Sequence, residues 1–190
     1  MKRSMTFLHL VVLLLIPLMA HATQTDSAEK ELLPVLELEV PENEFYRSYL
    51  GLQGGTGEKF VLSEIDADIL VIELFSMYCP YCQKEAPVVN ELYEKMSEYK
   101  SIGLNIKIIG LGASNSQFEV EHFRDTYNVP FPLFPDKDMT LYKALKGAGT
   151  PGFVGVHLGG DDTAVIVLRN SGGFYSADDF LKELVKNSGY

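Results

Sequence analysis

Two cysteines stand three positions apart in Cys79-Pro80-Tyr81-Cys82, and the chain has no others. Thiols at that spacing suit one chemistry well. One attacks a disulfide as its thiolate; the other then attacks the mixed disulfide and releases the product. The apolar run Ile69–Phe75 comes just before the pair. Behind it, Ala86, Val89, Leu92, Tyr93 and Met96 recur at helical spacing. The dithiol therefore belongs where a buried strand turns into a helix. Free N–H groups and the helix dipole stabilise a thiolate there. A free thiol with a pKa of about 8.5 is only about 3% ionised near neutrality, whereas a helix-start thiol can fall to roughly 3.5–7.5. This order makes Cys79 the attacking thiol and Cys82 the resolving one. Pro80 suits the first helical position, because its φ is preset and it has no N–H to leave unpaired.

Two other uses of the pair fit less well. Half of a zinc site needs two further ligands. Beyond residue 22 the chain offers only His122 and His157, which are far apart. A structural bridge of this size closes a tiny loop, worth about 2 kcal/mol against about 4.7 for a 100-residue loop. No metal and no cofactor is expected.

The elements that must position the pair are legible in outline. Ile69–Phe75 is apolar except for Glu73 and reads as a doubly covered central strand. A helix is expected from Pro80 to about Tyr99, then a buried strand over Leu104–Leu111. Ser114-Asn115-Ser116 offers caps to a helix running to Tyr127. Proline crowds a short strand at Phe131–Phe134, and Asp138–Leu145 is helical. Gly152–Leu158 and Ala164–Leu168 flank a hairpin turn, and Ser176 caps a last helix to Lys186. Nearer the N-terminus, Phe45–Leu52 and Glu58–Leu62 flank Gln53-Gly54-Gly55-Thr56-Gly57 and read as another hairpin. Alternating strands and helices imply a layered α/β sheet with an antiparallel edge.

The N-terminus reads as an export signal. Lys2 and Arg3 precede an apolar stretch, which ends in Ala20-His21-Ala22. His9 and Pro17 interrupt a run of about 16 residues, short of the about 20 that a spanning helix needs. Cleavage after Ala22 and a periplasmic location are expected; an uncleaved membrane anchor is the alternative. Residues 1–22 are then the signal, 23–45 a polar lead that includes a short strand near Val35–Val40, and 46–190 one domain. The formal charge of −10 repels phosphate backbones, so nucleic acid is not an expected partner.

On these residues the chain resembles the exported thioredoxin-like disulfide reductases (TlpA-like, redoxin-type), the group that includes the cytochrome-maturation thioredoxins. The resemblance covers about Phe60 to Tyr190 and rests on position. Pro87 lies eight residues after the first cysteine, where thioredoxins kink the active-site helix. Glu73 lies six residues before it, where they hold a buried acid. Thr150-Pro151 matches their cis-proline loop, and Leu104–Asp136 matches the β-α-β insertion of the exported group. The resemblance implies a thioredoxin-like α/β fold with a central mixed sheet flanked by helices, an N-terminal hairpin and that insertion. It also implies a monomer that reduces disulfides in exported client proteins, with electrons from a membrane-bound donor. Cys79, Cys82 and Glu73 would be catalytic, with Glu73 relaying protons to the resolving thiol. Thr150 and Pro151 would bind an extended client segment, the Thr150 backbone pairing with it as an added strand. Tyr78 and Tyr81 would grip the client at the rim, and Pro80 and Pro87 would be structural. The chain departs from the group in having Tyr78 where a tryptophan usually stands. The Pro80-Tyr81 pair is closer to glutaredoxins. Two other functions share the fold. A peroxidase would place a threonine ahead of its reactive cysteine, and Phe75-Ser76-Met77-Tyr78 has none. A copper-binding assembly protein would space its cysteines more widely and add a histidine.

Overall fold

The computed structural model describes residues 30–159 and 163–190, so the expected signal segment and its expected cleavage site lie outside the described residues. In chain order the elements are β1 (Glu37–Glu39), α1 (Glu44–Leu50), β2 (Lys59–Val61), β3 (Ile69–Phe75), α2 (Pro80–Lys100), β4 (Ile106–Ala113), α3 (Gln117–Tyr127), β5 (Leu133–Asp136), α4 (Thr140–Ala144), β6 (Gly152–Leu158), β7 (Ala164–Ser171) and α5 (Ala177–Asn187).

The main sheet has the order β5-β4-β3-β6-β7. Strands β3, β4 and β5 run parallel, and β6 and β7 add the antiparallel edge. Every residue of β3 and β4 is buried, as their apolar runs require. Alternation sends Ile69, Val71, Phe75, Ile106 and Ile108 into one core under α2 and α5. Leu70, Ile72, Leu74, Ile109 and Leu111 face the other, with Leu36, Leu38, Val40 and Leu50. Each such side chain is worth about 1.5–3 kcal/mol on full burial. Leu36, Leu38 and Val40 fall within the expected polar lead, yet they are core residues, and Leu32 bridges to Val165 of β7. Over the described residues the lead and the domain form one body.

The expected hairpin at Phe45–Leu52 and Glu58–Leu62 is not present. Glu44–Leu50 is a helix, and β2 pairs antiparallel with β1 instead, with Leu38 opposite Phe60. The reason is capping. Asn43 Oδ1 accepts the Phe45 N–H at 2.9 Å, and Gly51 ends the helix at φ +76°. A glycine-rich connector marks a chain reversal without saying which strand returns.

Strand β5 pairs with β4 only from Gly110 onward. Tyr49, from α1, covers part of the remaining edge. Its hydroxyl accepts the Ile108 N–H at 2.8 Å and donates to the Ile108 carbonyl at 3.3 Å.

Candidate active site

The two cysteines sit where the sequence places them. Strand β3 ends at Phe75, a three-residue turn follows, and Cys79 is the N-cap of α2 with φ −86° and ψ 112°. Its N–H donates to Ser76 O at 3.0 Å, which closes the turn. The backbone N–H of Cys82 donates to Cys79 Sγ at 3.4 Å. Both cysteines are free thiols. Cys79 is part-exposed, and its thiol donates to the Thr150 carbonyl at 3.1 Å. Partial burial pushes the Cys79 pKa up, but hydrogen bonding with the side chains of Thr150 and Cys82 and with the amides of Cys82 and Tyr81 outweighs it, and the net shift is downward.

Cys82 lies one turn further and is 1% exposed. Burial, then the neighbouring Cys79 sulfur and the Glu73 carboxyl, push its thiol well above the ordinary range. One sulfur is thus accessible and inclined to ionise, while the other is shielded and inclined to keep its proton.

Glu73 is buried mid-strand between Gly110 of β4 and Phe153 of β6. It shares the face of Val71 and Phe75, the side covered by α2. Burial and the nearby Glu85 carboxylate raise its pKa to about 8. Pro87 lies inside α2, where its ring removes one backbone bond to the preceding turn. The Thr150–Pro151 bond is cis, and the Pro151 carbonyl accepts the Gly172 N–H at 2.9 Å. The Thr150 carbonyl, part of the backbone expected to pair with a client, accepts the Cys79 thiol while that thiol keeps its proton. Tyr78 and Tyr81 are 64% and 75% exposed and flank Cys79. His122 is elsewhere, stacked on Phe118 of α3, and His157 packs against Tyr190. A cavity of about 520 Å³ lies at the other end of β4, lined by Tyr49, Tyr93 and Lys107, and neither cysteine lines it.

Two further acids hold the surroundings of the pair, and neither carries a strong signal in the sequence. Glu85 stands one turn after Cys82, and its carboxylate accepts the Phe174 N–H at 2.7 Å, which ties α2 to the loop before α5. Its three-residue spacing from Cys82, on the helix face that carries Ala86 and Val89, was the available signal. Glu119, in the first turn of α3, accepts from the Ser116 N–H at 2.6 Å, the Ser116 hydroxyl at 2.7 Å and the Tyr78 hydroxyl. Chiefly through the Ser116 amide and Tyr78, these bonds hold its pKa near 2.

Residues 47–170 match the model of the AhpC/TSA family. Among curated proteins, the chain is 32% identical over 88 residues to the thiol-disulfide oxidoreductase ResA of Halalkalibacterium halodurans, covering 46% of this chain and 47% of that protein. It is 27% identical over 100 residues to ResA of Bacillus subtilis, covering 53% of each. The chain thus spans about half the length of the curated relatives it matches. Among solved structures, a putative thiol:disulfide interchange protein DsbE from Chlorobium tepidum superposes with a TM-score of 0.62 at 12% identity, over 84% of this chain and 97% of that one. StoA from Bacillus subtilis gives 0.56 at 18% identity, over 81% and 98%. Those two likenesses establish the thioredoxin-like fold; the match over residues 47–170 establishes the lineage, and the chain belongs to the AhpC/TSA family.

Proposed function

We propose that this protein is an exported thiol:disulfide oxidoreductase that reduces disulfides in client proteins through Cys79 and Cys82. The observation that carries the reading is the capping of α2 by Cys79 Sγ, with Cys82 buried one turn on. The ResA relatives carry the oxidoreductase name and support the same reaction class.

The Cys79 thiolate attacks one sulfur of a client disulfide; a Cys79–client bond forms, and the other client sulfur leaves as a thiolate and takes a proton. Cys82 then gives its proton to Glu73 and attacks Cys79 Sγ. The Cys79–Cys82 disulfide forms, and the second client sulfur leaves as a thiolate. Two electrons pass from the dithiol to the client. Glu73, with a pKa near 8, is about one-tenth ionised at pH 7, so it can accept that proton and return it. Tyr78, Tyr81, Thr150 and Pro151 form the client-binding rim. Location in the periplasm after cleavage at Ala22, action as a monomer and re-reduction by a membrane-bound donor complete the reading. Equilibrating the pair with glutathione, which gives its reduction potential, tests the reducing direction.

The test is a trap. Reduced Cys82→Ser protein, mixed with a disulfide-bonded peptide, should accumulate a mixed disulfide at Cys79, and Cys79→Ser protein should form none. Failure to trap the peptide, with faster oxidation by hydrogen peroxide than by the peptide disulfide, would replace this reading with a peroxidase.

A further inference from the structure

The turn Ser76-Met77-Tyr78 links the last residue of β3 to Cys79, and side chains from two other parts of the fold hold it. Asn115, in the turn between β4 and α3, is 0% exposed. Its Oδ1 accepts the Met77 N–H at 2.8 Å, and its Nδ2 donates to Ser76 Oγ at 3.4 Å. From the first turn of α2, Gln83 Nε2 donates to the Met77 carbonyl at 2.7 Å. Side chains therefore take both the N–H and the C=O of Met77. Tyr78, the next residue, is tied through its hydroxyl to Glu119.

Asn115 is itself held closely. Its N–H donates to Gly112 O at 3.0 Å. Ser114 before it takes a left-handed φ of +58°, and the Ser114 N–H donates to Asp136 O at 2.9 Å. Gly112 makes room for it. A Cβ there would lie 3.0 Å from the Asn115 Cβ and 2.5 Å from Val120 Cγ1. A buried amide side chain is costly unless its polar atoms are paired. Among the described residues, the side chain of Asn115 hydrogen-bonds only to the turn that precedes Cys79.

We propose that Asn115 is a positioning residue for the thiol chemistry: with Gln83 it clamps the Met77 peptide and so fixes Cys79 Sγ against the amide end of α2. The inference rests on the reading of Cys79 as the attacking thiol. Among the described residues, Asn115 hydrogen-bonds to neither sulfur. It acts because Cys79 closes the clamped turn through its bond to Ser76 O, so a shift of Met77 moves the sulfur. The Cys82 N–H···Sγ contact, at 3.4 Å, has little reach to spare. The field of a helix terminus also fades within its first turn. The ionisable groups around Cys79 are Cys82, Glu85 and Tyr81 on α2, Glu73 on β3, and Tyr78 of the turn with Glu119 of α3 bonded to it; the side chain of Asn115 hydrogen-bonds to none of them. The β-α-β insertion thereby gains a task, because its first turn tunes the site.

The experiment is the rate of Cys79 alkylation by limiting iodoacetamide, with the label mapped, as a function of pH. Asn115→Ala should move the profile alkaline by about one unit and slow the reaction about tenfold at pH 7, with the high-pH limiting rate kept, since one pKa unit is about a tenfold change in thiolate. Gln83→Met should move it in the same direction. Asn90→Ala is the control. Asn90 also binds backbone from α2, donating to Tyr127 O at 3.0 Å, but away from the dithiol, and its removal should cost stability and leave the profile in place. An unmoved profile in Asn115→Ala, or an equal movement in Asn90→Ala, overturns the proposal. If Asn115→Ala does not fold, Gln83→Met decides, and an unmoved profile there overturns it too. Label found on Cys82 in the wild-type protein would instead overturn the assignment of the attacking thiol, a distinguishable failure.

Discussion

The backbone N–H of Cys82 donates to Cys79 Sγ at 3.4 Å, so the first thiol of the pair caps the helix that carries the second. A hydroxyl or carboxylate oxygen more often fills this place. With sulfur there, the unpaired amides of the first helical turn stabilise a thiolate, and the same turn carries Cys82 into the core. Glu73 approaches from β3 below, on the face covered by α2. Two thiols three residues apart thus receive opposite environments from one helix end.

The first consequence concerns selectivity. Limiting iodoacetamide on the reduced wild-type protein near neutral pH should label Cys79 and spare Cys82, because the first thiol is lowered in pKa and part-exposed and the second is raised and buried. Peptide mapping reads the outcome, and labelling of Cys82 in excess would reverse the two roles.

The two steps of exchange should respond differently to Glu73→Gln. The first attack uses a thiolate already stabilised by the helix end, so its rate should stay within about twofold of wild type. Resolution needs the Cys82 proton removed, and loss of a general base typically costs about 10²–10⁴-fold. Stopped-flow reduction of a disulfide peptide separates the steps. Equal slowing of both would make Glu73 a structural acid.

Glu73 also makes a stability prediction whose sign can be worked out. Its pKa is about 8 folded and 4.5 unfolded. Between these values the folded state holds the proton and the unfolded state releases it, so stability falls as pH rises. The stabilising contribution is fully present below pH 4.5 and is lost by about pH 8. At about 1.4 kcal/mol per pKa unit, the fall is on the order of a few kcal/mol. Urea denaturation of the reduced protein at pH 5, 6.5 and 8 should show the decline. Glu73→Gln should flatten it and be more stable than wild type at pH 8. Parallel curves would mean that the carboxyl is solvated.

Away from the dithiol, Tyr49→Phe should destabilise the fold by about 1–3 kcal/mol, because it leaves both backbone groups of Ile108 unpaired on an edge that β5 does not reach. Denaturation midpoints measure the loss, and the alkylation rate of Cys79 should not change. A cost below about 0.5 kcal/mol would show that water replaces the hydroxyl.

Much of the site was legible in the chain itself, because its signals are local. Cys79 and Cys82 at a strand-to-helix junction need only the apolar run before them and the helical spacing after them. β3 matches its expected bounds, and α2 differs from its own by one residue at its C-terminal end. Glu73 stood out as the one charge in a buried strand, and Ser176 caps α5 as its position implies. What the local pattern left open are pairings between distant segments. Glu44–Leu50 carries both strand-like and helix-like residues, and the caps at Asn43 and Gly51 decided for helix. That left β2 to pair with β1. Asn115 reads in sequence as one of three capping candidates, and Glu85 as an ordinary helix acid. Their roles appear only when β4 is laid beside β3, which sets the first turn of the insertion under Met77, and when α5 packs on α2, which lays Phe174 over Glu85. Propensity and periodicity act over a few residues. The direction and burial of a polar side chain depend on segments dozens of residues away, so only the assembled tertiary structure settles them.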